Sequence, residues 1–186
     1  MARLLEKYKN EIIPEMIAKL GYTNKNAIPK IEKIVLNVGA GKTLENKKYM
    51  EESVKLLAVV SGQKPIITKA RKAVAGFKIK QGDKIGCKVT LRKKMMYEFL
   101  DRLISIVIPR IKDFRGLSPK SFDKNGNYSL GIDEQSVFSE VNHDEIEFSL
   151  GMDVTLNISN GSPQNSFELL KLFGMPFRQL GGEKIG

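Results

Sequence analysis

Hydrophobic side chains recur at helical spacing from the start of the chain: Leu4, Leu5, Tyr8, Ile12, Met16, Ile17 and Leu20 form one stripe, and Gly21 stands where a C-cap belongs. This predicts an amphipathic helix that Pro14 must kink or divide, because proline offers no amide hydrogen to the preceding turn. From Lys30 to Val38 the period shortens to two. Ile34, Leu36 and Val38 share one face and Lys33, Val35 and Asn37 the other, which predicts a strand. Tyr49, Met50, Val54, Leu57 and Val60 predict a second helix stopping at Ser61-Gly62, and Pro65 to Thr68 a short β-branched strand.

Lys69 to Gly82 follows neither period and predicts a long exposed loop or a flexible hairpin tip. Alternation returns from Ile85 to Arg92, with Cys87, Val89 and Leu91 opposed to Lys88, Thr90 and Arg92. Met96, Phe99, Leu100, Leu103, Ile104 and Val107 predict a helix that ends before Pro109. Asn125-Gly126 between Phe122 and Tyr128 is a hairpin-turn signal. The stretch Ile146 to Ile158 holds a strand with Phe148, Leu150, Met152, Val154, Leu156 and Ile158 inward. Ser162-Pro163 opens a last helix through Phe167, Leu169, Leu170 and Phe173, closed by Gly174.

A doubly wound parallel sheet would read as continuous apolar runs, whereas these strands alternate and so are covered on one side only. The expectation is an α+β fold, a largely antiparallel sheet with helices packed on one face and the other face open. At 186 residues with no repeat or linker, residues 1–178 read as a single domain and 179–186 as a flexible tail. The most apolar stretch, Leu103 to Pro109, is far short of the roughly 20 residues of a membrane span, and the charged first residues lack a signal-peptide core.

Charge sharpens this picture. The chain carries 31 Lys and Arg against 21 Asp and Glu, a net +10. Eleven of those cations and a single acid, Asp83, fall between Lys64 and Lys94, so that segment accounts for the whole imbalance. From Asn125 to Leu170 there is no Lys or Arg, while eight acids occur. Such a strong dipole in sequence points to a polyanionic partner.

Other chemistries fall away. One cysteine and one histidine supply neither a disulfide nor a structural zinc site, so no metal and no cofactor is expected. Gly39-Ala40-Gly41-Lys42-Thr43 imitates a phosphate-binding loop, but Leu36 and Leu44 stand where the two known patterns need glycine. A tight turn with Thr43 as N-cap explains it better than nucleotide binding. His143 sits among polar neighbours, Cys87 falls on the apolar side of its strand, and nothing encloses Glu145 and Glu147. No catalytic residue is assigned, and an enzyme is not expected.

What remains is the basic half. The loop residues Lys69, Arg71, Lys72, Phe77, Lys78 and Lys80 join Lys33 and Asn37 of one strand and Lys88, Thr90 and Arg92 of another. With helices on the opposite face, these form an open platform of cations and neutral hydrogen-bonding groups, suited to phosphates and 2′-hydroxyls of folded RNA. Phe77 either stacks on an exposed base or packs its own loop. Acidic lipid would also attract such a loop, but no basic amphipathic helix accompanies it.

The run Ser61-Gly-Gln-Lys-Pro65, with Ile67-Thr-Lys-Ala-Arg-Lys72, Ala75-Gly-Phe-Lys-Ile79, Ile85 to Arg92, Pro109 to Gly116 and Phe122-Asp-Lys-Asn-Gly-Asn-Tyr128, closely resembles the bacterial-type family of ribosomal protein five of the large subunit, which binds 5S rRNA. The likeness runs from the first helix to Met175-Pro-Phe-Arg178. It implies a five-stranded antiparallel sheet and a structural constituent of the large ribosomal subunit, a monomer off the ribosome. It further implies binding to 5S rRNA in the central protuberance through Asn37, Gln63, Thr90 and Arg92, and the platform adds Lys33 and Lys88 to that expected site. The loop Lys69, Arg71, Lys72, Phe77, Lys78 and Lys80 would then reach large-subunit rRNA and peptidyl-site tRNA. Neighbouring ribosomal proteins, including one of the small-subunit head, are implied partners, with Arg110 to Gly116 and Glu140 to Glu147 as candidate contacts. The implied location is the cytoplasmic ribosome or that of an organellar matrix or stroma. Asp83-Lys84 departs from the residue-then-proline that relatives often carry, and Pro14 is unusual in the first helix.

Overall fold

The computed structural model describes residues 2–39, 41, 47–142 and 147–178. Ala40, Lys42 and Thr43 of the glycine turn, His143, Glu145 and the 179–186 tail lie outside the described residues. Helices α1 (Arg3–Lys7) and α2 (Ile13–Leu20) are joined by a π-helical turn, Tyr8–Ile12. Pro14 occupies the first turn of α2, where a missing amide hydrogen costs little, so the helix is divided at the proline without being broken. Gly21 ends it at φ 68°, donating its N–H to the Ile17 carbonyl at 3.0 Å.

Strand β1 (Lys30–Gly39) buries Ile34, Leu36 and Val38 and leaves Lys33, Val35 and Asn37 half-buried. Ile31 is buried out of that phase, so clean alternation begins only at Ile34. Helix α3 (Lys47–Ser61), β2 (Ile66–Lys69) and β3 (Lys84–Leu91) follow, and Ser61 closes α3 by donating its Oγ–H to the Leu57 carbonyl at 2.5 Å. Helix α4 (Lys93–Arg102) continues into a π turn, Leu103–Val107, and a 3-10 turn, Ile108–Arg110. The α and π turns thus end at Val107, before Pro109 as expected, and the proline sits in the first positions of the tighter 3-10 turn, where its absent amide hydrogen is not needed.

Asn125-Gly126 makes the expected turn. Phe122 and Tyr128 bridge across it, Gly126 adopts φ 78°, and Asp123 accepts from the Asn125 and Asn127 amides at 2.9 and 2.7 Å. Strand β4 (Tyr128–Ile132) follows. The expected inward run from Phe148 is shorter in fact, because β5 (Met152–Ser159) begins four residues later. Before it, Gln135 holds the chain out of the ladder, donating Nε2–H to the Phe148 carbonyl at 2.6 Å and accepting the Leu150 N–H. Helix α5 (Pro163–Phe173) is capped by Ser162, whose Oγ accepts the Asn165 N–H, and ends at left-handed Gly174.

The five strands form one antiparallel open sheet in the order β2-β3-β1-β5-β4, with the helices on one face, an α+β fold as expected. The chain groups into two compact units. The first holds residues up to Ile34, Leu91–Leu130 and those from Thr155 on; the second holds Val35–Thr90 and Gly131–Val154. Core residues of the first include Leu4, Ile12, Met16, Phe99, Leu100, Leu103, Leu156 and Leu170, with the Tyr8 and Phe173 rings stacked at 5.9 Å. Burial pushes the Tyr97 and Tyr128 hydroxyls up to about 12, so both stay neutral within the core. The second unit buries Leu36, Val38, Cys87 and Val89 of the strands together with Leu57 and Val60 of α3. Each such side chain contributes on the order of 1.5–3 kcal/mol, which fixes the register that leaves the alternate residues bare.

Candidate nucleic-acid interface

Of the two expectations for the basic segment, a long exposed loop or a hairpin tip, it folds as the hairpin. Strands β2 and β3 pair antiparallel, Ile66 with Lys88, Ile67 with Cys87 and Thr68 with Gly86. Beyond them the Ala70 amide donates to the Asp83 carbonyl at 2.8 Å and Gly82 to the Ala70 carbonyl at 3.0 Å. Val74 and Ile79 then form a bridge around a 3-10 turn, Ala75–Phe77. The segment's one acid is used inside it, since Asp83 Oδ2 accepts the Lys80 backbone N–H at 2.7 Å. The turn closes at Lys78, with φ 54°, and presents Phe77 at 73% exposure. Of the two readings of this ring, packing against its own loop is thereby excluded.

Lys69, Arg71, Lys72, Lys78 and Lys80 are all exposed on this finger. Among the described residues none of them pairs with an acid, nor do Lys84 and Lys88. Lys69 stands opposite Lys84 across the ladder, after a register irregularity at Thr68/Lys69. Like charges opposed on neighbouring strands destabilise a free sheet, so the arrangement serves something other than stability.

On the bare face of the second unit the structure brings together Asn37 of β1 with Lys88 and Thr90 of β3, its neighbour in the sheet. Gln63 lies exposed in the connection from α3 to β2, its N–H taken by Ser61 Oγ at 3.2 Å. Lys33 and Arg92 belong to the first unit. There Arg92, just past the end of β3, pairs with Glu32 at 3.5 Å, so the cation counted as free is partly neutralised. On the covered side burial raises the Cys87 thiol to about 11, which keeps it an inert apolar filler.

Residue patterning had missed three members of this surface. Ile66 is 64% exposed beside Lys88, Lys84 sits opposite Lys69, and Asp153 of β5 shares the bare face. Their signal lies in the alternation, which places an isoleucine and an acid as well as cations on the bare side. A cavity of about 250 Å³ in the same unit, lined by Leu56, Val59, Gln135, Glu140, Val141 and Leu150, contains none of the RNA-binding candidates.

Fold and surface together define a class, the basic α+β scaffolds that leave one sheet face bare and extend a cationic hairpin beyond it. Residues 24–80 match the family described as Ribosomal protein L5, and residues 84–177 match the ribosomal L5P family C-terminus. The chain is 52% identical to a large ribosomal subunit protein uL5 of Geotalea uraniireducens, over 96% of this chain and 99% of that one. It is 50% identical to the uL5 of Syntrophomonas wolfei and 52% identical to that of Clostridium botulinum strain Eklund 17B, over 96% of this chain and all of each relative. The chain belongs to the ribosomal protein L5 family, whose members are structural ribosomal proteins and not enzymes.

Proposed function

We propose that this protein is a constituent of the large ribosomal subunit that binds 5S rRNA through the bare sheet face, in the central protuberance of a cytoplasmic ribosome. Lys33, Asn37, Gln63, Lys88, Thr90 and Arg92 contact the 5S rRNA. Lys69, Arg71, Lys72, Phe77, Lys78 and Lys80 on the finger reach large-subunit rRNA and peptidyl-site tRNA. The exposed ring of Phe77 offers a stacking surface and the surrounding cations hold phosphates. The acidic residues of the second unit, Glu140 and Glu147 among them, face a basic protein of the small-subunit head.

The observation that supports this reading best is the Lys69–Lys84 opposition, which no acid among the described residues relieves and a phosphate backbone would. Filter binding of 5S rRNA tests it. Affinity should fall with salt at a log–log slope of roughly −0.9 for each duplex phosphate neutralised. Thr90→Ala should weaken binding about five- to tenfold with an unchanged melting curve, because it removes one hydroxyl from a half-exposed position. The triple change Arg71→Ala, Lys72→Ala, Lys78→Ala should spare isolated 5S rRNA binding and impair tRNA binding on reassembled ribosomes. A flat salt response, or loss of 5S rRNA binding in the triple variant, overturns the assignment.

A further inference from the structure

The bare face of the second unit is not uniform. Across the strand order, β2 and β3 carry Lys69, Lys84 and Lys88, and β1 contributes the neutral Asn37. Beyond β1 comes β5 with Asp153 and then β4 with Gly131. Asp153 is exposed between buried Met152 and Val154, which sets its side chain on the bare side. The Asp153 carboxylate leans toward β4, since a Cβ added at Gly131 would lie 3.8 Å from its Oδ1. No cation among the described residues pairs with it. The turn preceding β5 packs Gly151 against the Asp133 backbone, so exposed Asp133 and Glu134 stand at the same end.

From this layout we infer that Asp153 is a specificity-determining residue: its carboxylate repels phosphate and confines a bound nucleic-acid backbone to the β2-β3-β1 side of the sheet. The inference rests on the reading of the face as an RNA platform and adds a direction to it. A backbone could otherwise run on from β1 to β5, the next strand, where the exposed side chain of this unit is Asp153. A fixed anion removes the second path, as unfavourable charges do at other specific interfaces. On the opposite flank Ile66, in register with Lys88, supplies an apolar shoulder for a sugar while the lysine takes the adjacent phosphate.

The test uses the whole chain and in-vitro-transcribed 5S rRNA at low and moderate salt. Asp153→Asn should tighten binding about threefold and Asp153→Lys about tenfold, both gains shrinking as salt screens the charge. Hydroxyl-radical footprinting should show added protected nucleotides with Asp153→Lys. Asp153→Ser, which also removes the charge, guards against a folding defect in either variant, and thermal melting reports one. Unchanged affinity overturns the inference. So does weakened affinity, because the carboxylate would then be accepting a hydrogen bond from a base or a 2′-hydroxyl. If wild-type protein fails to bind 5S rRNA, the platform reading fails first; if wild type binds and the Asp153 variants behave otherwise than stated, only this inference falls.

Discussion

Reversing one charge of the Lys69–Lys84 pair should strengthen the free protein and weaken its grip on RNA. Residues opposed across an antiparallel ladder have Cβ atoms about 5 Å apart, and ammonium groups on flexible stems spread to about 8 Å. Two unit charges at that separation repel by about 0.5 kcal/mol in water, cut to about 0.2 kcal/mol by 0.1 M salt. Lys84→Glu turns repulsion into attraction of similar size, a gain of about 1 kcal/mol in dilute buffer and about 0.5 kcal/mol in 0.1 M salt, or a Tm rise of about 2–4 °C and about 1–2 °C for a chain of this length. Melting followed by circular dichroism in dilute buffer reads the gain, and in about 1 M salt the two curves should coincide because the Debye length falls to about 3 Å. In parallel, 5S rRNA affinity at low salt should fall about tenfold with a shallower salt slope. A variant that melts lower in dilute buffer, or that binds RNA as wild type does, refutes the claim that this opposition is maintained for a polyanion.

Three further outcomes follow from the interior and its edges. Cys87, buried and raised to about 11, should resist thiol-labelling reagents near neutral pH in the native protein and react readily once denaturant unfolds the second unit. The Arg3 guanidinium, hydrogen-bonded to Asp101 at 3.1 and 2.5 Å, holds that carboxyl below the usual range, so its contribution is present above ordinary carboxylate values and is lost as pH falls through its folded value. Asp101→Asn should therefore lower Tm at neutral pH and narrow the drop in Tm on acidification to about pH 3, as scanning calorimetry would show. Gly161→Ala places a methyl group against Ser166 Oγ, a buried hydroxyl without a partner among the described residues, and should cost about 2 kcal/mol. Ser166→Ala removes that atom and should recover most of the loss in urea unfolding of the double variant, but little at Gly126→Ala, where φ is +78° and Ser162 backbone also intrudes.

Legibility in the sequence followed the locality of the physics. Gly21, Gly174, Ser162 and the Asn125-Gly126 turn act within a few residues of themselves, so they read correctly and the structure shows each in its place. Alternation in β1 and β3 revealed a sheet with a bare face, because period-two burial is a property of one strand. The start of β5 was not legible. Phe148 and Leu150 continue the apolar phase, yet a side chain from Gln135, more than ten residues away, takes their backbone groups out of the ladder. The finger was legible only as a choice between a long loop and a hairpin tip, because its bridge joins Val74 to Ile79 through backbone hydrogen bonds that leave no hydrophobic period. Arg92 looked free because Glu32 is distant in sequence and near only in the folded sheet.

The two units satisfy their bare strand positions differently, and that difference bears on the proposed RNA platform. In the first unit Ser129 and Thr155 hydrogen-bond across β4 and β5 at 3.1 Å, and Asn127 Oδ1 accepts the Ile158 N–H at 3.0 Å. Those groups are already partnered, and a ligand would have to compete for them. In the second unit the side chains of Asn37, Gln63, Lys88 and Thr90 have no partner among the described residues. Water serves such groups at little cost while they remain exposed, so the fold tolerates them, and a ribose-phosphate backbone replaces that water without breaking any internal bond. Binding here therefore needs no rearrangement of the sheet. In the first unit the β4 and β5 groups are joined to one another, which leaves Lys33 and the Glu32-paired Arg92 as its candidates for such a contact.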